Sequence, residues 1–322
     1  MINLEDTESA FEYKSKWELK KAHQLFTLLK NPSLVKIGSM STKLAMFLKL
    51  PIKSLVRNTI FQQFCGGENV VDCRPRIKQL AEYGIGTILD YSVEGQEFID
   101  DFEKNKNEII QTVYEAANND NIPFAVFKLT GLGRADLIKK ASVSQDSLEG
   151  NDKLEFDQLI NRVDDICRSA YENNVPIFVD AEHSWFQNLI DDVVELMISR
   201  YNKKTAIVYN TIQLYRHDAL DYMKKLIKKC EDNQIFLGLK LVRGAYMEKE
   251  RDMAAIQGLK DPIHVTKAST DRDYDLALEY CINKIDFLSI CAGTHNENSS
   301  LLLTDLMKKY NLINNDPRIH FA

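Results

Sequence analysis

The cysteines of this chain do not form a framework. Cys65, Cys73, Cys167, Cys230, Cys281 and Cys291 include no C-x-x-C pair, and most lie inside apolar or helical patterns, as free structural thiols do. A zinc site or any other metal site is therefore not expected, and a reducing compartment is. Long apolar runs are missing too. The nearest, KLAMFLKLPIKSLV, is broken by Lys49, Pro51 and Lys53, short of the roughly 18 residues that cross a bilayer. The N-terminus, MINLEDTESAFEY, is acidic, with neither a signal-peptide layout nor the Arg-rich, acid-poor character of a mitochondrial presequence. No targeting segment is expected in this chain. A basic surplus is also absent, since the formal charge is −6, which gives nucleic-acid binding no support. What remains is 322 residues, 44% hydrophobic and 27% charged, enough apolar material for a sizeable core.

From about residue 85 onward, short β-branched runs alternate with long amphipathic stretches, the pattern of parallel strands joined by helices. The strands are read as GTILDY (86–91), PFAVFKLTG (123–131), VPIFVDAE (175–182), TAIVYNTIQLY (205–215), FLGLKLV (236–242), DFLSICAGTH (286–295) and RIHFA (318–322). Between them, EFIDDFEKNKNEIIQTVYEAANN, FDQLINRVDDICRSAYENN, WFQNLIDDVVELMISRYN, ALDYMKKLIKKCEDN and NSSLLLTDLMKKYN carry apolar residues three and four apart, several with Asn-rich stops. A doubly wound sheet or a (β/α)8 barrel would produce this repeat. No G-x-G-x-x-G follows a strand and opens a helix; LTGLGRADL comes closest and lacks an acidic residue on a second strand. The barrel is favoured because Asp90, Lys128, Asp180, Glu182, Gln213, Lys240, Arg243, Thr294 and His295 fall at strand ends, where barrels carry function. Taken singly, each reads equally well as a helix cap or a satisfied core group.

Residues 1–80 read differently, as a helical arm. KWELKKAHQLFTLLK (16–30) is amphipathic, with Trp17, Ala22, Leu25, Phe26 and Leu29 along one side. The next stretch, STKLAMFLKLPIKSLVRNTIFQQF, is basic and amphipathic, suited either to an anionic membrane surface or to packing on the barrel, which is read as residues 81–322.

IFLGLKLVRGAYMEKER (235–251) places Lys240 and Arg243 at the end of an apolar strand, where a buried cation needs a negative partner. Strand parity turns Lys240 and Val242 inward and Leu241 toward the helices. Arg243 then sits at the first loop position, and Gly244-Ala245 lets a flat ligand approach the backbone. In VDAEHSW, Asp180 pairs with a cation such as Lys240 or Arg243 and orients it, acts as a base, or caps the next helix, and the pairing is preferred. His183 reads as packing or capping, because no second His or Cys lies at metal spacing. Gln213 both donates and accepts, as the edge of a heteroaromatic ring requires. A serine nucleophile is unsupported, since G-x-S-x-G is absent. A Schiff-base lysine at Lys128 or Lys240 is the competing chemistry.

FQQFCGGE, TILDYSVE, FKLTGLGR, VDAEHSWFQ, YNTIQLYR, KLVRGAYMEKER, TKASTDRDYD and AGTHN, in this order, resemble successive blocks of the flavin-dependent proline dehydrogenases, in their eukaryotic mitochondrial form. The resemblance implies a (β/α)8 barrel with FAD at its mouth, hydride passing from proline C5 to flavin N5 to give 1-pyrroline-5-carboxylate. Carried over by position, Lys128 contacts the substrate carboxylate and Tyr246 shapes the substrate pocket. Asp180 belongs to the catalytic network and Lys240 approaches flavin N5. Ala181, Gln213, Arg243, Gly244, Ala245, Thr294 and His295 line the flavin site. The family further implies a quinone acceptor and peripheral attachment to the inner mitochondrial membrane.

The chain departs from that pattern twice. Bacterial members place Arg at the position of Lys240 and Lys at that of Arg243, which keeps the charge but removes a bidentate fork from N5. The chain also stops within the seventh strand, where the family continues through a Tyr-bearing loop, an eighth strand and a final helix with an Arg pair that grips the proline carboxylate. The expectations are therefore an unclosed barrel with exposed edges at strands 1 and 7, weak FAD binding and poor proline oxidation by this chain alone. A Schiff-base lyase and a fragment that only binds are the alternatives.

Overall fold

A computed structural model describes residues 5–48, 50–91 and 98–322. The first residues of the acidic N-terminal stretch, Lys49 in the interrupted apolar run, the end of TILDYSVE and the Glu97 that opens the first interstrand helical stretch lie outside the described residues. The chain divides into two compact units, Met1–Thr87 and Ile88–Ala322.

The first unit is helical, with α1 at Lys16–Leu29, α2 at Pro32–Phe47 and α3 at Val70–Ala81, besides short turns. Ser15 starts α1 through a capping box: its hydroxyl accepts from the Glu18 N–H, and the Glu18 carboxylate accepts from the Ser15 N–H. Asn31 caps α2 and Pro32 occupies its first turn, where a missing N–H costs nothing. Helix α2 begins earlier than the basic amphipathic stretch of the sequence reading and ends before Pro51, which cannot continue a helix. The apolar side expected on α1 is largely open: Ala22 is buried, but Trp17, Phe26 and Leu29 are exposed.

The second unit contains one sheet of seven parallel strands in sequential order. These are β1 (Ile88–Asp90), β2 (Phe124–Lys128), β3 (Ile177–Asp180), β4 (Val208–Gln213), β5 (Leu237–Val242), β6 (Leu288–Ala292) and β7 (Ile319–Phe321). Each is shorter than its sequence pattern by one to five residues at its ends. Helices α4 (Ile99–Ala117), α5 (Ala135–Val143), α6 (Gly150–Glu172), α7 (Ser184–Tyr201), α8 (Ala219–Asp232), α9 (Met247–Gln257), α10 (Lys267–Ile282) and α11 (Glu297–Lys309) connect them. Of these, α5, α9 and α10 are not foreseen by the apolar periodicity. Where periodicity is clean it governs burial: α8 buries Leu220, Met223, Ile227 and Cys230, at spacings of three and four.

Sequential parallel pairing with right-handed crossovers curls the sheet, and the interior shows the curl directly. The Phe124 ring of β2 stacks on Phe178 of β3 at 4.2 Å and meets His320 of β7 at 4.7 Å, so side chains from near the two edges touch across the inside. Tyr209 of β4 closes edge-on against both phenylalanines at 5.4 Å. Among the described residues β1 and β7 do not pair with each other, so the seven strands form an open, barrel-like sheet, as the sequence reading expects. The Asn-rich helix stops also carry structure. Asn202, fully buried at the end of α7, accepts from the Ile207 and Val208 N–H groups and donates to the Val208 carbonyl, while its own carbonyl accepts from Phe236. One side chain and its backbone thus hook the starts of β4 and β5 to α7.

Two expected outcomes follow. A Cβ on Gly238 would fall 2.4 Å from the ring of Tyr209, its register partner on β4. Gly238→Ala should cost about 1–3 kcal/mol by overpacking, read by urea denaturation, and Tyr209→Leu in the same chain should recover part of the loss. Behind β4, burial pushes the Asp191 carboxyl up to about 6 from 3.8, opposed by hydrogen bonds from Asn210 and Gln187. Between those values the folded chain keeps a proton that the unfolded chain has released, so stability falls as pH rises through this window. Asp191→Asn should remove that dependence and raise stability at pH 7 by about 2 kcal/mol, with little gain at pH 4.

Candidate active site

The carboxyl ends of the strands open onto a cleft of about 840 Å³. Every residue assigned to a site from the sequence lines it: Lys128, Asp180, Ala181, Gln213, Lys240, Arg243, Gly244, Ala245, Tyr246, Thr294 and His295. Asp90 and Glu182, also at strand ends, do not. Thr211, Val242, Lys267, Gly293 and Asn296 line it in addition.

Its centre is an ion pair. Lys240 lies mid-strand in β5, in register between Thr211 of β4 and Cys291 of β6, and its neighbour Leu241 is fully buried. The Lys240 Nζ donates to Asp180 Oδ1 at 2.6 Å and lies 5.1 Å from the centre of the Phe178 ring. Both side chains are about one-fifth exposed, at 19% and 18%. Charges withdrawn this far from water persist only when each faces the other and keeps further partners. Thr211 supplies one, its hydroxyl donating to Asp180 at 3.4 Å. Helix α7 begins at Ser184 with His183 in the cap position, so Asp180 is free of any capping duty. The desolvated surroundings push the Cys291 thiol up to about 11, leaving it inert.

The second cation is held elsewhere. Arg243 Nε donates to Asp271 at 2.7 Å, Nη1 to the Thr294 hydroxyl at 2.5 Å and Nη2 to the Ser299 hydroxyl at 3.0 Å. Its guanidinium lies over the Tyr274 ring at 4.3 Å. Ser299 in turn donates to Asp275. Burial acts to raise the Asp271 carboxyl, but hydrogen bonds from Lys267 and Arg243 outweigh it and hold the carboxyl below the usual range. A planar fork with five donors suits this arrangement: three N–H groups fix the plane of a guanidinium that lines the cleft. Asp271 and Ser299 were missed by the sequence reading, although TKASTDRDYD contains Asp271; a charged residue on an unrecognised helix gave no sign of its partner.

Gly244 has φ +138°, a conformation that L side chains rarely adopt, and a Cβ there would lie 2.5 Å from the Tyr215 ring. Its glycine is required first by its own backbone and by Tyr215, and the open cradle follows from that. Gln213, at the end of β4, is 5% exposed, and its Oε1 has no hydrogen-bond partner, an acceptor left unsatisfied at a cost of about 1–3 kcal/mol unless something donates to it. Tyr246, just before α9, packs against His183 at 4.2 Å, and His183 stacks on Trp185 at 4.3 Å; its Nδ1 is 3.7 Å from the buried Glu250 carboxylate. His183 therefore serves packing, as its sequence context suggests. Lys128 ends β2 with its Nζ 3.9 Å from Asp90 of β1. Among the described residues no cluster of His, Cys, Asp and Glu suits a metal ion.

The strand order and the site can be set beside known proteins. Residues 73–322 match the family model described as proline dehydrogenase. Proline dehydrogenase 1, mitochondrial, of Dictyostelium discoideum is 29% identical over 98% of this chain and 63% of its own length. The carbapenem antibiotics biosynthesis protein CarD of Pectobacterium carotovorum is 30% identical over 78% of this chain and 64% of its own, and the hydroxyproline dehydrogenase of Xenopus laevis is 26% identical over 90% and 70%. The chain thus spans somewhat under two thirds of the first two of these relatives. Among solved structures, proline utilization A from Bdellovibrio bacteriovorus aligns with a TM-score of 0.68 at 20% identity, over 81% of this chain and 28% of that one, which is a likeness of fold. With the family model covering residues 73–322, this chain belongs to the proline dehydrogenase family.

Proposed function

We propose that the cleft oxidises L-proline to 1-pyrroline-5-carboxylate with FAD as the acceptor, the first step of proline breakdown. The observation that carries this reading is the unsatisfied Gln213 Oε1 in a cleft that also presents Lys128, Lys240 and Arg243. The residues present suit a flavin: Gln213 Oε1 accepts from a ring imide N–H, Gly244 and Ala245 offer backbone to a flat face, and Arg243 with Thr294 and His295 offers donors to an anionic diphosphate. Bound there, the flavin would supply the two-electron acceptor for the hydride that leaves proline C5.

The chain's own residues do the rest. Lys240, fixed by Asp180, presents a permanent positive charge beside the ring, the preorganised kind of charge that stabilises negative charge as it develops. Lys128 meets the substrate carboxylate, and Tyr246, braced by His183, forms a wall of the substrate pocket. The Schiff-base alternative is disfavoured by the same ion pair, since Lys240 Nζ is engaged by Asp180 Oδ1 at 2.6 Å and not presented to a carbonyl; Lys128 likewise ends beside Asp90. The purified chain, supplied with FAD, should show a flavin absorption band that bleaches anaerobically on adding proline, with 4-hydroxyproline as the comparison substrate. Gln213→Ala should weaken FAD binding about tenfold. A chain that takes up no FAD sinks the reading, and a coloured chain inert to proline leaves it as a binding fragment.

We also infer a peripheral mitochondrial inner-membrane location with a quinone as the electron acceptor, in keeping with the mitochondrial names of several relatives. No helix of the described residues is long and apolar enough to cross a membrane. Between Glu18 and Glu68 the chain has no acidic residue, only Lys and Arg. Within that stretch Ile37, Met40, Leu44 and Phe47 lie on one face of α2 and are all exposed, Phe47 at 82%. Such a helix lies in the plane of an anionic interface. The chain should sediment with vesicles rich in anionic lipid and remain free with neutral ones, and Leu44→Glu with Phe47→Glu should abolish sedimentation; equal binding by that double variant refutes this role for α2.

A further inference from the structure

Glu182 follows the substrate-facing strand β3 and is only 5% exposed, a carboxylate withdrawn from water and not among the residues that line the cleft. Burial of this kind is costly without compensation, so what the carboxylate holds has a reason. Both of its oxygens meet Thr130: the Thr130 N–H donates to Oε1 at 3.0 Å and the Thr130 hydroxyl to Oε2 at 2.5 Å. Each of the two Thr130 donors meets its own oxygen, a two-point grip that an amide cannot copy with both donors unchanged.

Thr130 sits in the tight turn Leu129–Gly131, and Lys128 is the residue from which that turn starts. Lys128 is also the register partner of Asp180, the residue that holds Lys240. The grip is anchored from behind, because the Glu182 N–H donates to Gln187 Oε1 at 3.2 Å and Gln187 Nε2 donates to Asp191 at 3.0 Å, both on α7. A buried chain of hydrogen bonds therefore runs from α7 through Glu182 to the peptide next to Lys128.

We propose that Glu182 is a positioning residue: it fixes the turn after β2 against the end of β3 and thereby sets where the Lys128 ammonium stands relative to Asp180 and Lys240. The proposal rests on the proline dehydrogenase reading for its kinetic consequence, because Lys128 there meets the substrate carboxylate. Loss of the grip loosens the substrate's anchor and leaves the flavin side, built on β4 to β6 apart from Ala181, as it was.

The test uses the full chain with FAD and three variants, Glu182→Ala, Thr130→Ala and Thr130→Ser. Expected are a rise in the proline KM of about tenfold for Glu182→Ala and a smaller rise for Thr130→Ala, with kcat within about twofold. Thr130→Ser keeps both donors and should behave as the parent, and FAD affinity should be unchanged throughout. Hydrogen exchange should quicken at residues 129–131 and stay unchanged across the other strands. An unchanged KM for both alanine variants with quickened exchange at the turn overturns the proposal, as does a fall in kcat with KM constant. If Glu182→Ala loses protection throughout the sheet, Thr130→Ala, which removes one hydroxyl, decides the matter by the same KM criterion. A parent chain that turns over no proline refutes the dehydrogenase reading. The brace is then judged on the 13C resonance of reductively methylated Lys128, assigned with Lys128→Arg: a shift in Thr130→Ala supports it and an unmoved signal overturns it.

Discussion

The concave side of a curled sheet has to be filled, and here Phe124, Phe178 and Tyr209 fill it. Their packing sets how close the strands come, which is why β5 carries Gly238 opposite Tyr209 and why a side chain on β2 reaches one on β7. Everything above this layer follows from it. Once the seven parallel strands curve around the aromatic plug, their carboxyl ends point into one space, and polar residues far apart in sequence become neighbours.

Those neighbours are arranged by charge. Lys240 is held by Asp180 and Arg243 by Asp271, while Lys128 ends near Asp90. Each cation meets a carboxylate contributed by a different element, and two of the carboxylates have further partners, Asp180 in Thr211 and Asp271 in Lys267. Held in this way, the cations need not reorganise when a negative group arrives, the property that makes fixed charges effective in water-poor sites. The buried carboxylates Glu182 and Glu250 belong to the same layer of support: one grips the turn after Lys128, and the other ties Ser184 to the start of α9.

Much of the fold was legible because parallel strands buried on both faces read as apolar β-branched runs, and helices with a clean apolar stripe read as helices. The helices that escaped notice blur that stripe. On α10 the buried side includes Thr270 and Asp273, and on α9 it includes Glu250; polar residues that face inward for the sake of the site look, in sequence, like loop. The strands were overread by a few residues at their ends, because strand-like composition runs on past the point where the ladder stops, whereas Lys128, Asp180, Gln213 and Lys240 stay within it.

By itself the sequence determined that strands and helices alternate, that Lys128, Asp180, Gln213 and Lys240 end up on the strands at one side of the sheet, and that Arg243 follows by one loop position. Local periodicity suffices for that, because strand parity and helix repeat are properties of consecutive residues. Which carboxylate each cation would meet was open: Asp180 suited Lys240 or Arg243 equally well. The tertiary structure decided it, giving Asp180 to Lys240 and sending Arg243 to Asp271 and Ser299, 28 and 56 residues away. Pairing of charges depends on distances across the curl and on which loop closes over which strand, and those quantities exist only once the interior is packed.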